Sequence, residues 1–117
     1  MDRIHQQFLQ AILKNQPYAV FNFLEKGNKQ LPIDINYRFQ SNWSPLHYAA
    51  MHSSIQIISR LINHPRININ VTTDFGETPL HIAAKSNNIE NCQLLISAGV
   101  TIDQQDKDFN TALHYAA

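Results

Sequence analysis

Histidine is the residue type with the greatest capacity for chemistry in this 117-residue chain, because six are present beside a single cysteine. Three of them recur in one short phrase, at spacings of 34 and 33 residues: His47, His81 and His114. Zinc needs its imidazole nitrogens about 2.0–2.1 Å from a common point. Histidines on successive packed helices, about 8–10 Å apart, do not meet that need. We therefore expect no metal site. The remaining histidines, expected to be scattered surface residues, are His5, His52 and His64.

The other candidates for catalysis are weaker. Cys92 falls at a helical position suited to an apolar side chain, so we expect a small, buried and inert thiol. Asp74 and Glu77 are close in sequence, but no motif pairs them for acid–base work. A solvated loop charge is the default for both. The glycines form no phosphate-binding loop, so no enzyme is indicated and no cofactor is expected.

The phrase around the repeated histidines predicts three short helices. Its copies occupy residues 43–50, 77–84 and 110–117. The hydroxyl residues expected to cap these helices are Ser44, Thr78 and Thr111. Pro45 and Pro79 follow at the first helical position, where the missing N–H has no cost. Paired alanines keep one face of each helix thin, which lets neighbouring helices approach closely.

The Thr-Pro-Leu-His phrase and its period resemble the ankyrin repeat. The resemblance covers residues 33–117 as repeats, the last one incomplete at the C-terminus, and residues 1–32 as an N-terminal capping helix pair with a connecting loop. It implies an all-α ankyrin-repeat solenoid of stacked helix-turn-helix units with β-hairpin fingers. It also implies that each repeated histidine bonds the preceding hydroxyl and the neighbouring backbone, which ties the repeats together.

Apolar periodicity predicts the remaining helices. The first runs from Asp2 to about Leu13, and the second opens at Pro17 and stops at Gly27. Two further helices, on the outer side of the stack, are predicted at residues 54–62 and 88–97. Their apolar stripes are Ile55, Ile58, Leu61 and Ile62, and then Ile89, Cys92, Leu95 and Ile96.

One position in each finger calls for a left-handed backbone. Gly76 supplies it in the second finger. Asn42 replaces glycine in the first finger and tolerates that conformation. Phe109 replaces it in the last, so either that turn is distorted or Phe109 packs against something outside this sequence.

The composition of the chain limits the classes of partner that it is expected to bind. The formal net charge is zero and no basic run is present, which argues against nucleic acid and anionic membrane surfaces. No apolar run approaches the roughly 20 residues that span a bilayer. A single cysteine favours a reducing, intracellular and cytoplasmic location.

Ankyrin-like domains generally bind proteins through finger tips and inner helices, so the resemblance implies a protein partner on a concave surface. The finger positions of that surface are Gln40, Ser41, Trp43, Asp74, Phe75, Glu77, Lys107, Asp108 and Asn110. The inner-helix positions are Met51, His52, Lys85 and Ser86. Trp43 and Phe75 are large apolar groups there, and they either anchor a partner or stabilise the fingers.

The leading interpretation is a protein–protein interaction module, monomeric apart from contacts through an uncapped C-terminal end. A second interpretation is the targeting or substrate-recruiting arm of a larger enzyme or secreted bacterial effector, acting in host cytosol, with its catalytic domain beyond residue 117. The abundance of Ile, Asn, Gln and Lys is compatible with an AT-rich genome. A third is a structural role, in which the repeats pack against the rest of their own chain.

Overall fold

The computed structural model describes residues 3–30, 33–52 and 54–116, which form seven α-helices and one 3₁₀ turn. The helices are α1 (Arg3–Leu13), α2 (Pro17–Gln30), α3 (Pro45–His52), α4 (Ile55–Ile62), α5 (Pro79–Lys85), α6 (Ile89–Ser97) and α7 (Ala112–Ala116). The 3₁₀ turn is Gln40–Asn42. Together these residues span 42 × 26 × 24 Å.

The helices stack in two rows. The inner row is α1, α3, α5 and α7, each in contact with the next, and the outer row is α2, α4 and α6. Each outer helix also contacts the inner helix that precedes it. The core lies between the rows, where Leu46, Ala49 and Ala83 are fully buried. The small alanine side chains allow the close approach of α3 and α5 that the sequence predicts.

The predicted helix starts at the repeated phrase are confirmed. Helices α3 and α5 begin at Pro45 and Pro79. The hydroxyl of Thr78 accepts the N–H of His81, and His81 Nδ1 accepts the N–H of Thr78 at 3.1 Å. This reciprocal capping pairs two donors that the first helical turn would otherwise leave unbonded.

The predicted end of the second helix at Gly27 is wrong, because α2 continues to Gln30. Glycine costs a helix about 1 kcal/mol relative to alanine and does not interrupt its hydrogen bonds. Part of the predicted connecting loop is therefore helical, while positions 31 and 32 lie outside the described residues, as does Asp2.

The predicted outer stripes are only partly correct. In α4, Ile55 is 45% exposed and Ile57 is fully buried in its place. In α6, Leu95 is buried as expected, whereas Ile89 and Ile96 are 64% and 48% exposed. The contacts of α6 with α4 and α5 bury Leu95 but leave these two isoleucines largely open to solvent.

Three tight turns project from the start of an inner helix: finger 1 (residues 39–43), finger 2 (73–77) and finger 3 (106–110). In each, the first N–H donates to the fifth carbonyl, at 2.7, 2.9 and 2.9 Å respectively. The fourth residue is left-handed in all three, with φ of 61° at Asn42, 78° at Gly76 and 63° at Phe109. Finger 3 is therefore not distorted. The described residues contain no β-strand, so the fingers take this turn form in place of the predicted β-hairpins.

Candidate protein-binding surface

Backbone hydrogen bonds join the fingers to one another. The N–H of Asp74 donates to the carbonyl of Ser41 at 2.9 Å, and that of Lys107 donates to Phe75 at 2.9 Å. Because these bonds involve only the main chain, they hold neighbouring fingers at a fixed spacing without using finger side chains. The surface that the fingers present is therefore preformed.

The repeated histidines anchor this row of fingers, as the resemblance implies. Nδ1 of His47 lies 2.9 Å from Ser44 Oγ, and Nδ1 of His81 lies 2.8 Å from Thr78 Oγ1. The opposite ring nitrogen reaches the next finger, 2.8 Å from the Glu77 carbonyl for His47 and 2.9 Å from the Asn110 carbonyl for His81. Helices α3 and α5 are thus each fastened to the finger that follows.

Burial sets the protonation of His47. It lowers the pKa to about 4, although the hydrogen bond to the Glu77 carbonyl works in the other direction. The ring is therefore neutral at pH 7. Since Nδ1 accepts the N–H of Ser44 at 3.1 Å, the proton is on Nε2, which donates to Glu77. This histidine is a structural link and is not free to act as a base.

The scattered histidines do not form a site either. His5 is buried, contrary to the expected surface position, because its Nε2 accepts the N–H of Asp34 at 2.9 Å and its ring stacks on Tyr37. His64 is half-buried and His52 is exposed. Among the residues that the structure describes, no group of three or more His, Cys, Asp or Glu side chains is placed to hold a metal ion.

Most of the predicted binding residues lie on the surface. Exposed are Gln40, Ser41, His52, Asp74, Phe75, Lys85, Ser86, Lys107 and Asp108. Half-buried are Trp43, Met51 and Asn110. Glu77 alone of this set is buried. The fingers and the ends of the inner helices thus combine both charge signs with two exposed phenyl rings, those of Phe75 and, outside the predicted set, Phe109.

The expectation of a solvated charge at Glu77 is wrong. Its side chain is 8% exposed and turns back over α5, where Oε2 accepts a hydrogen bond from Lys85 Nζ at 2.6 Å. This bond to Glu77 raises the pKa of Lys85. Finger 2 is so short that the side chain of its last residue lies over the helix that follows, which the local sequence does not reveal.

Trp43 and Phe75 have different surroundings. The ring of Trp43 is half-buried, with its centroid 5.7 Å from that of His47 and 5.0 Å from that of Tyr48. Phe75 is 39% exposed at the tip of finger 2. Trp43 thus packs against side chains of α3, while Phe75 offers more of its ring to solvent.

Finger 3 carries a polar cluster that sequence reasoning missed. Oδ1 of Asp106 accepts the N–H groups of Asp108 and Asn110 at 2.9 and 3.0 Å, and its Oδ2 accepts the hydroxyl of Tyr115. Burial acts to raise the pKa of Asp106, but these hydrogen bonds outweigh it and the net pKa is lowered. The carboxylate is therefore committed to shaping the finger.

Aromatic side chains beside finger 1 were missed as well. Tyr37, Phe39 and Tyr48 are half-buried and line an open groove. A signal was available, since residues 37 and 39 are two apart and so face the same side of an extended segment. Tyr48 follows the repeated histidine directly, at a position where Ile82 stands in the next repeat.

Cys92 is half-buried, less so than expected, and burial raises the pKa of its thiol. A thiol with a raised pKa is a poor nucleophile at neutral pH. Among the described helices, none combines the length and the apolar character needed to cross a membrane.

Paired helices in two rows, with capped inner helices that a histidine fastens to the next finger, define a helical-repeat protein. The chain belongs to the ankyrin-repeat family, since the family model for ankyrin repeats (3 copies) matches residues 8–106 and 65–117. Ankyrin repeats are generally non-catalytic modules for protein interaction.

Three relatives illustrate the range of this similarity. The chain is 32% identical to a probable serine/threonine-protein kinase of Dictyostelium discoideum, over 97% of this chain and 14% of the kinase. It is 38% identical to alpha-latrotoxin-Lg1a of Latrodectus geometricus, over 87% of this chain and 8% of the toxin. It is 29% identical to the probable 26S proteasome regulatory subunit p28 of Saccharomyces cerevisiae, over 87% of this chain and 45% of that subunit. The chain therefore spans less than half the length of each of these relatives.

Proposed function

We propose that this chain is a protein-interaction module that binds a partner protein across its fingers and the adjoining ends of its inner helices. One observation carries the proposal: main-chain bonds hold the fingers in register while the side chains at their tips stay exposed. Such a surface loses little conformational entropy when a partner docks.

Phe75 is the proposed anchor of this surface. Its ring is exposed at the tip of finger 2, with Asp74 beside it in sequence. Lys107, exposed on finger 3, is held next to it by the backbone bond to the Phe75 carbonyl. Protein interfaces commonly place aromatic side chains at the centre and polar or charged side chains at the rim, and this arrangement fits Phe75 with Asp74 and Lys107.

Affinity capture from cell extract tests the proposal, with the wild-type chain compared with a Phe75→Ala/Lys107→Ala variant. A matched control is Tyr18→Ala, since Tyr18 is 86% exposed on α2 in the outer row. Proteins retained by wild type and by the control, but lost with the double variant, support this surface. If all three retain the same proteins while melting temperatures agree, the proposed surface is wrong.

We also propose, as a second candidate, that the module is the targeting or substrate-recruiting arm of a larger enzyme or of a secreted effector. The observation that favours it is the match to kinases, which covers only 14% of the Dictyostelium protein and 11% of the tyrosine-protein kinase Shark of Drosophila melanogaster. Either role would be carried out in a reducing intracellular compartment, the host cytosol in the case of an effector.

Sequencing the gene on both sides of the codons for residues 1–117 tests this second candidate. A catalytic domain in the same reading frame supports a recruiting arm. Flanking sequence that contains only further repeats or stop codons contradicts it and leaves the interaction module alone.

A further inference from the structure

A groove with a volume of about 380 Å³ lies beside finger 1, between that finger and α1. Three aromatic rings, those of Tyr37, Phe39 and Tyr48, form one part of its wall. The polar side chains at its edge are Gln6, Arg38 and Gln40.

Contacts with neighbouring rings hold the three aromatic side chains in place. Tyr37 stacks on His5 with centroids 4.0 Å apart, and Tyr48 packs on Trp43 with centroids 5.0 Å apart. Phe39 lies between the two, 4.9 Å from Tyr37 with its plane tilted by 59°, and 5.9 Å from Tyr48 in a T-shaped arrangement at 79°. All three lining rings remain half-buried, so part of each ring is open to a ligand. The groove is therefore preformed and ridged.

The fold itself does not require these rings. In the next repeat the equivalent positions are Val71, Thr73 and Ile82, all buried. Finger 2 nevertheless closes with the same backbone hydrogen bond as finger 1 and has the same left-handed fourth residue. The aromatic residues of finger 1 thus add a surface to a turn that smaller side chains build equally well.

The charged side chains near the rings indicate which class of ligand the groove favours. Arg38 is a charged residue of the groove wall, and within the described residues one of its five N–H donors is used, by the carbonyl of Thr72. The carboxylate of Asp34 is close in sequence, but its Oδ1 accepts the N–H of Asn36. Aromatic rings also attract cations, but a cationic ligand is disfavoured here because the positive charge of Arg38 would repel it.

We propose that this groove binds an extended, proline-containing acidic segment of a partner protein, with prolines on the rings and a carboxylate on Arg38. Polyproline II segments have no internal hydrogen bonds, and they dock on aromatic-lined grooves at low entropic cost. Gln6 and Gln40 also line the groove, and their amide groups are donors that the carbonyls of such a segment can accept from. This inference rests on the proposed function and names the kind of partner at the finger 1 end of the surface.

The test uses the whole chain and the acetylated peptide Glu-Pro-Pro-Leu-Pro-Glu-Pro, which contains no aromatic residue. Trp43 is the single tryptophan, so its emission reports directly on the ring cluster. Two control peptides replace both glutamates by lysine or all prolines by alanine. We expect a saturable change in Trp43 emission, matched by calorimetry, with binding weakened about tenfold or more for both control peptides.

Variants of the chain sharpen the test. Tyr48→Ile and Phe39→Thr install the residues of the next repeat, so the fold is kept while the rings are lost. We expect both to abolish binding without changing the circular dichroism spectrum. Arg38→Gln should weaken the binding of the acidic peptide, so that this peptide no longer binds more tightly than the lysine peptide. Tyr18→Ala should bind as wild type.

Absence of saturable binding by both methods would overturn the inference, as would equal or tighter binding of the lysine peptide. Retained affinity in folded Tyr48→Ile would overturn it too. These failures are distinct from failure of the proposed function, which the Phe75→Ala/Lys107→Ala capture experiment tests with different residues and a different readout.

Discussion

Fingers 1 and 3 close with the same backbone hydrogen bond, but they differ in the side chain at their first position. In finger 3, Asp106 supplies a carboxylate that accepts the N–H groups of Asp108 and Asn110. In finger 1 the same position is Phe39, which has no acceptor, so the N–H of Trp43 donates to the Gln40 carbonyl at 3.1 Å. The turn tightens into a 3₁₀ segment, and Ser41 takes a φ of 55°.

This difference shows that main-chain hydrogen bonds form the finger, whereas its side chains vary from one finger to the next. Both fingers close through main-chain bonds, and the carbonyl of Asn110 in finger 3 accepts from His81 of the preceding helix. Their side chains give different surfaces: finger 1 carries the half-buried rings of Phe39 and Trp43, whereas finger 3 carries mainly charged and amide side chains with the exposed ring of Phe109. Because closure does not depend on the side chains at the tip, those positions are available for recognition.

The largest expected effect comes from breaking the histidine link. His47→Gln leaves the buried Ser44 N–H and Glu77 carbonyl without their partner, so we expect a loss of about 3 kcal/mol in the free energy of unfolding. His114 makes the equivalent bonds to Thr111 in an exposed setting, and His114→Gln should cost under about 1 kcal/mol. Urea denaturation measures both. Equal losses would show that burial does not govern the strength of the link.

Lowering the pH should weaken the same histidine link without a mutation. The pKa of His47 is lowered from 6.5 to about 4, so below pH 6.5 the unfolded chain binds a proton that the folded chain does not. The contribution of His47 is complete above pH 6.5 and declines toward pH 4, by about 3 kcal/mol in total. Urea titrations across this range should show the decline in wild type and a shallower one in His47→Gln. Identical slopes would contradict the assignment to His47.

Removing the acceptor of finger 3 should have an intermediate effect. Asp106→Ala deprives two backbone N–H groups and the Tyr115 hydroxyl of their acceptor, and we expect a loss of about 2 kcal/mol at pH 7. The lowered pKa of Asp106 means that this stabilisation is present above pH 3.8 and is lost as pH falls through the lowered value. Phe39→Ala, which acts through packing alone, should show no such dependence. A pH-independent deficit in Asp106→Ala would argue against the carboxylate's role.

The smallest effects should come from the left-handed position, with opposite signs in two fingers. Phe109 is 75% exposed at a φ of 63°, so Phe109→Gly removes strain and little packing, and we expect a gain of about 1 kcal/mol. Gly76→Ala at a φ of 78° places a Cβ 3.2 Å from the Lys107 nitrogen and should cost about 1–2 kcal/mol. Thermal unfolding compares the pair. Destabilisation by Phe109→Gly would mean that the phenyl ring supports the finger.

Several features followed from local chemistry and were predictable. The starts of α3 and α5 depend on a hydroxyl, a proline and a histidine within four consecutive residues. The left-handed residue of each finger depends on the tight turn around it. Such features need only neighbours in the chain, so a short phrase repeated three times was enough to indicate the fold.

Features that depend on distant contacts were decided by the tertiary structure. Nothing near His5 in sequence indicates that it accepts from Asp34 and stacks on Tyr37, residues about 30 positions away. The burial of Glu77 depends on a lysine on α5, and the exposure of Ile89 depends on which side of α6 its neighbours cover.

The sequence by itself therefore determined the repeat, its helix caps and its turns, since hydrogen bonds between near neighbours specify these. Only the tertiary structure decided which apolar faces are covered and which charges are paired. It also assembled Tyr37, Phe39 and Tyr48 into one groove, because side chains from separate elements become neighbours only after the inner row has stacked.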